Sequence, residues 1–325
     1  MKLIAVEEHL LTPEVREAWA DPASVPDPAC AFDVGEIGRR LEDLGEERLR
    51  LMDEAGVDVQ VLSLTTPGLH TLAPDRAVDL ARRVNDRIAE ATGRHPGRFQ
   101  GLAALPTPAP DAAPRELERA VRDLGLKGAM LCGRTRERNL DHPEFRPLLD
   151  CAAVLGVPLF IHPQVPQRAV CEALYTGISP QVDLALSAYG LGWHYEAGVQ
   201  FVRLVAAGVF DRLPSLQVIL GHWGEVVLFY LERLAALDRA AGLERRIAEV
   251  ARNNLHVTAS GMFSDAYLAR CVEIVGPDRL LFSTDYPYQY RPGRDARGFL
   301  ERGPLGEAER AMFAHGNWER LTKAS

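Results

Sequence analysis

Four short segments of the chain end in side chains able to hold a divalent cation. Glu7 and His9 stand two residues apart in Val6-Glu7-Glu8-His9. His162 closes Phe160-Ile161-His162-Pro163, His222 closes Ile219-Leu220-Gly221-His222, and Asp285 closes Phe282-Ser283-Thr284-Asp285. Each follows an apolar run of strand length. In an extended chain, residues two apart face one side, so Glu7 and His9 are expected to converge and Glu8 to point away. A single histidine at a strand end is more often a satisfied polar group than a ligand. Four separate strand ends, each delivering an imidazole or a carboxylate, point instead to one borderline cation. Zn2+ or Mn2+ suits the donor set, with Glu7, His9, His162 and Asp285 as its ligands.

The other histidines read as background. His95 beside Pro96, His142 before a helix, His194 and His315 in loops or helix starts, and His256 inside a strand need only packing or local hydrogen bonds. His70, in Thr66-Pro67-Gly68-Leu69-His70, is expected to stay out of the pocket. Cys132 ends another apolar run and is expected to face the pocket, without a neighbouring base to make it a nucleophile. That run, Ala129-Met130-Leu131-Cys132-Gly133, offers no carboxylate or lysine at its active end, Lys127 lying at its start. A second, bridged metal has no ligand there, so one ion is expected.

Eight β-like runs must position these groups: residues 3–6, 58–63, 99–104, 127–131, 157–161, 216–220, 255–258 and 279–283. Amphipathic stretches lie between them, at 76–92, 114–123, 143–155, 225–241 and 264–275. In the last, Ala266, Leu268, Val272 and Val275 recur at helical spacing. Alternating strands and helices imply a parallel sheet, and eight such units imply closure. The expectation is an α/β chain forming a single, distorted (β/α)8 TIM-type barrel over residues 1–325, with the candidate ligands on the C-terminal face. A doubly wound open sheet is the alternative, but no G-x-G-x-x-G turn follows any run. Two connections, residues 10–45 after the first strand and 163–188 after the fifth, are over-long and read as lids or binding loops.

Composition narrows the partners. A net charge of −8 with both signs interspersed excludes a nucleic-acid backbone, which needs a basic stripe. Five cysteines with no C-x-x-C pair suggest a reducing, cytoplasmic setting. The first residues are too acidic for a signal peptide, and the longest apolar run falls short of the roughly 18 residues a membrane span needs.

Taken together, Glu7-x-His9, Phe160-Ile161-His162-Pro163, Leu220-Gly221-His222-x-Gly224-Glu225 and Phe282-Ser283-Thr284-Asp285-x-Pro287 resemble the amidohydrolase superfamily. Within it the E-x-H opening is similar to the metal-dependent nonoxidative decarboxylases, typified by gamma-resorcylate decarboxylase. Leu51-Met52-Asp53, Leu62-Ser63-Leu64 and Leu140-Asp141-x-Pro143-x-Phe145-x-Pro147 extend the likeness nearly end to end. The resemblance implies that Glu7, His9, His162 and Asp285 bind one metal and that His222 and Glu225 form a catalytic pair. It implies a small hydroxyaryl or enol-type carboxylic acid as substrate, with Asp285 protonating the carbon that bears the carboxylate. It also implies that Arg233 reaches a neighbouring subunit's substrate, hence a homodimer or homotetramer. By position alone Arg233 reads as a solvated helix arginine beside Glu232, and Glu225, Phe229 and Arg233, spaced by four, are expected on one helix face.

Two alternatives stay open: metal-assisted hydrolysis of a lactone or amide with Asp285 as base, and a non-catalytic barrel used for binding. The chain departs from the gamma-resorcylate pattern at Leu10, Cys132 and Gln164, where those enzymes carry an aromatic, Asn and Arg. These are expected pocket positions, and losing polar partners there favours a less hydroxylated, or a bulkier and more apolar, acid.

Overall fold

The structure, a computed structural model, describes residues 1–323. Its strands are β1 (Ile4–Leu10), β2 (Val59–Leu64), β3 (Phe99–Gly101), β4 (Ala103–Ala104), β5 (Ala129–Cys132), β6 (Leu159–His162), β7 (Val218–Leu220), β8 (Leu255–Thr258) and β9 (Leu280–Leu281). All neighbours pair in parallel, in the orders β1-β2-β3 and β4-β5-β6-β7-β8-β9. The run expected as one strand at 99–104 is split because the chain changes partner there. β3 pairs with β2 and β4 with β5, while the Leu102 N–H between them donates to the Leu62 carbonyl at 2.8 Å. On the other side Val6 donates to the Phe282 carbonyl at 2.9 Å and His9 to that of Tyr286 at 2.7 Å, joining first strand to last. These bonds complete the ring of the expected barrel.

Its interior is filled by Ile4, Val6, Val59, Val61, Leu102, Met130, Phe160, Ile219 and Leu281, with Trp318 packed among them. The Trp318 indole N–H finds Gln100 Oε1 at 2.7 Å, as a buried polar handle must. A larger apolar layer lies between strands and helices, where Leu80, Leu117, Leu148, Phe201 and Leu268 supply the inward stripes of their helices.

One irregularity positions the site. If β1 alternated regularly, Ile4 and Val6 pointing inward would send Glu8 inward and Glu7 out. The pairing runs Ala5↔Gln60 and then Glu8↔Leu62, so β1 carries one extra residue against β2. That bulge reverses the phase, turning Glu7 and His9 into the barrel mouth and Glu8 away. Glu8 instead accepts from the Thr284 N–H at 2.8 Å, its hydroxyl at 2.5 Å and Gln60 Nε2 at 3.1 Å. Fully buried Arg48 completes this set, donating to Gln60 Oε1 at 2.7 Å and to the His9 carbonyl at 2.8 Å. Burial pushes the Glu8 carboxyl up to about 8. The two bonds from Thr284 tie β1 to the segment carrying Asp285.

The two long connections are more ordered than expected. The first holds helices Pro13–Trp19 and Gly35–Glu42, the second Arg168–Leu174 and Pro180–Ser187. Local chemistry starts two of them: Thr12 and Ser179 accept from the N–H three residues on, each followed by a proline in the first turn. The helix expected at 225–241 begins only at Val227, as Val227–Leu234 followed by Ala236–Ala240. Glu225 precedes it in a left-handed conformation, φ 56°, and its carboxylate is enclosed whereas Phe229 is 81 % exposed. The proposed common face of Glu225, Phe229 and Arg233 therefore does not exist. No helix among the described residues is long and apolar enough to cross a membrane.

Candidate active site

Glu7, His9, His162 and Asp285 meet at the barrel mouth, all buried, each offering a donor atom within 4.8 Å of the others. Their remaining atoms are already committed. Glu7 Oε2 accepts from Thr258 Oγ1 at 2.9 Å and from the hydroxyls of Ser260 and Ser283. His162 Nδ1 donates to the Pro163 carbonyl at 2.8 Å, which leaves the Nε2 lone pair facing Glu7 Oε1 at 3.7 Å. His9 Nδ1 lies 3.4 Å from Ser63 Oγ, and its Nε2 faces Asp285 Oδ1 at 3.3 Å. Outer partners of this kind fix the tautomer and aim of metal ligands.

What is left over fits a cation. Glu7 Oε1 and His9 Nε2 are buried without a hydrogen-bond partner, a costly state unless another group fills the gap. Burial raises the pKa of Glu7 despite the pull of His222, so this carboxylate lacks a full counter-charge. Burial, then His9 and His222, hold His162 well below the usual imidazole range, in the neutral form a metal needs. The four residues thus suit one divalent ion.

Beside them sits a second group. His222 Nδ1 lies 2.9 Å from Glu225 Oε1, and His194 Nδ1 lies 2.7 Å from Glu225 Oε2, so one carboxylate is shared by two imidazoles. Burial opposes the imidazolium of His222, yet the facing Glu225 carries its pKa up to about 10. Burial likewise opposes the Glu225 carboxylate, but His222 and then His194 hold it down to about 2. The pair's stabilising effect is therefore full between the ordinary carboxylate and imidazole values. It fades as pH rises through about 10 or falls through about 2. In metal-free Glu225→Gln protein, burial should win and the His222 pKa should drop below its ordinary value of about 6.5. A proton NMR titration reads this directly, and an unmoved pKa would mean that the charge holding His222 comes from elsewhere.

His222, Trp223, Glu225, Ser260 and Asp285 all have positive φ, between 44° and 59°. Non-glycine residues held this way gather where side chains must be aimed. Gly221 has a different reason: a Cβ there would lie 3.0 Å from Glu7 Oε1 and 3.0 Å from Ser260 Oγ.

His162, His222 and Asp285 open onto one cavity of about 610 Å3, walled by Phe32, Trp193 and Tyr288 among others. Tyr288 is held by its hydroxyl, which donates to Asp33 and lies 2.6 Å from Thr65 Oγ1. Several expectations are corrected here. Cys132 does not face this cavity; it packs behind the Gly68–His70 turn, where burial pushes its thiol up to about 12. Leu10 is fully buried in the apolar core. Gln164 is fully buried, its amide donating to the Arg134 carbonyl at 3.0 Å. None of these three departures lines this cavity. His194, read as background, joins the His222–Glu225 pair instead; it lies in the first turn of the helix Gly192–Ala206, with no neighbouring motif to announce it. His256 is buried in β8, where burial and two arginines hold it at about 3, as befits a packing residue.

Comparison with known proteins places this geometry. The amidohydrolase family model matches residues 9–321. A gamma-resorcylate decarboxylase of Rhizobium radiobacter is 35 % identical, covering 98 % of each chain. The crystal structure of 5-carboxyvanillate decarboxylase from Sphingomonas paucimobilis superposes with a TM-score of 0.90 at 32 % identity, covering 100 % of this chain and 99 % of that one. A dihydroxybenzoic acid decarboxylase of Polaromonas, solved with manganese and the inhibitor 2-nitroresorcinol, gives 0.86 at 33 % identity, covering 99 % and 97 %. The chain belongs to the amidohydrolase family.

Proposed function

We propose that this protein is a metal-dependent, nonoxidative decarboxylase of hydroxyaryl carboxylic acids, residues 1–325 forming one catalytic domain. The observation that carries the reading is the juxtaposition, on one cavity, of a four-donor group having two unpartnered buried atoms and a separate imidazolium–carboxylate pair. One divalent ion, manganese or zinc, held by Glu7, His9, His162 and Asp285 supplies positive charge for an acid's carboxylate and adjacent hydroxyl. The Polaromonas relative's bound manganese favours the former.

Asp285 faces the cavity and in its acid form delivers a proton to the ring carbon bearing the carboxylate. The C–C bond then breaks, its electron pair restores the aromatic ring, CO2 leaves, and solvent reprotonates Asp285. His222, kept cationic by Glu225, donates to the negative charge that builds on the substrate oxygens. The test is CO2 release from a panel of 2-hydroxybenzoates by metal-loaded protein, and the reverse carboxylation in bicarbonate. Turnover of lactones or amides with no CO2 release from any acid would replace this reading with the hydrolytic one.

A homodimer or homotetramer follows from the substrate's charge. Arg291, the one arginine or lysine lining the cavity among the described residues, is engaged by Asp295 at 3.3 Å. Arg233 is exposed at the end of the helix Val227–Leu234 and has no ion pair or hydrogen bond, not even with Glu232. On the same helix Phe229 and Tyr230 are exposed, and with exposed Tyr195 and Tyr267 they line one apolar cleft of the kind that meets a second chain. In our reading Arg233 enters the partner's cavity and grips the carboxylate with its fork of donors. Mixing inactive Arg233→Ala with inactive His222→Ala subunits should restore partial activity, because a mixed dimer holds one intact site. An active monomer at assay concentration would remove the idea. The unpaired cysteines support a reducing, cytoplasmic setting.

A further inference from the structure

Three aromatic rings on the cavity wall form a unit that the chemistry above does not use. Phe32, Tyr189 and Trp193 meet edge to face, with centroids 5.4 Å (Phe32–Tyr189), 6.0 Å (Phe32–Trp193) and 6.4 Å (Tyr189–Trp193) apart. They come from both long connections: Phe32 ends the turn Pro28–Phe32 after β1, and the other two lie beyond β6 at the start of Gly192–Ala206. Ile37 and Met262 extend the same wall.

The wall is held by these ring contacts, and its one hydroxyl is that of half-exposed Tyr189 at its outer edge. Trp193 Nε1 lies 3.2 Å from His194 Nε2, which is also 3.0 Å from the Tyr189 carbonyl, and His194 Nδ1 donates to Glu225. The indole is thus keyed, through His194, to the carboxylate that charges His222. A cavity of about 610 Å3 falls within the roughly 300–1,000 Å3 that holds drug-sized ligands, more than one small benzoate ring fills. The Phe32 ring and the face of Trp193 reward apolar surface, and a hydroxyl set against those two rings would lose water without gaining a partner.

We infer that Phe32, Tyr189 and Trp193 form a subsite for an apolar substituent, so that this chain's substrate is a hydroxyaryl acid bearing an alkyl or aryl group. The inference rests on the decarboxylase reading for the reaction but on the wall alone for the recognition. Burying one methylene there is worth about fourfold in affinity or in kcat/KM.

The experiment uses metal-loaded protein and 2-hydroxybenzoates carrying hydrogen, methyl, propyl or phenyl at each open ring position, with CO2 release as readout. Calorimetry with matching unreactive analogues, a nitro group replacing the carboxylate, measures binding independently of turnover. Both series should climb about fourfold per methylene at one ring position. Trp193→Ala and the milder Trp193→Leu should flatten the climb. If the unsubstituted acid releases CO2 and larger substituents leave kcat/KM flat or lower it, the subsite is overturned while the decarboxylase reading stands. If the analogues bind with the expected climb but no acid loses CO2, the subsite stands and the decarboxylase reading falls. Analogue binding that ignores substituent size overturns the subsite whatever the reaction.

Discussion

His162→Ala protein, expressed with added manganese or zinc, is expected to carry less than about a tenth of an ion per chain and to have no measurable turnover. His162 is the ligand with the least alternative employment. Its Nδ1 is committed to the Pro163 carbonyl and its Nε2 points only at the Glu7–Asp285 group. Removing it leaves Glu7, His9 and Asp285, two acids and one imidazole, with one donor of the four gone. Elemental analysis of the purified variant beside wild type gives the answer. A variant that keeps one ion per chain would show that the donor set has been misassigned. Two ions in wild type would contradict the single site.

His222→Asn should separate chemistry from metal binding. Metal content and substrate affinity are expected to stay, while kcat falls by about 10² or more, the usual loss when a charge-stabilising donor is removed. Asn is the right replacement because it tolerates the left-handed backbone at this position, φ 47°, better than Ala. Glu225 acts through His222, so the double variant with Glu225→Gln should be little slower than His222→Asn alone. Steady-state kinetics and metal analysis on the same preparations check both statements. Metal lost in parallel with turnover would make His222 a fifth ligand.

How far the sequence reaches can be seen residue by residue. The meeting of Glu7, His9, His162 and Asp285 was legible because each lies at or just beyond the C-terminal half of a strand, and these ends of a closed barrel share one face. Glu7 and His9 were matched for a reason that was only half right. Spacing by two does put them together, but a regular strand would have aimed them outward; the bulge between Ala5 and Glu8 corrects the phase and leaves no mark in the side-chain pattern. Glu225 was recognised by its motif, yet its place on a helix was misread, since a positive φ cannot be seen in spacing. His194 was invisible as a site residue: it arrives from the helix Gly192–Ala206 in the connection after β6, and only tertiary packing brings it to Glu225. Cys132 and Gln164 look like pocket residues at strand ends, but small turns of the connections fold over them.

The joining of β1 to the segment after β9 has a consequence for how the protein is made. Glu7 and His9 are synthesised almost first, Asp285 almost last, and the Ser283 hydroxyl that steadies Glu7 is 276 residues away from it in sequence. While the chain is being made, the early ligands wait in an open sheet with an uncovered edge, a state prone to pairing wrongly. No ribosome-bound fragment ending before Asp285 can enclose an ion with all four donors. On the proposed ligand set, an ion held by all four donors enters only after both ends of the barrel have met.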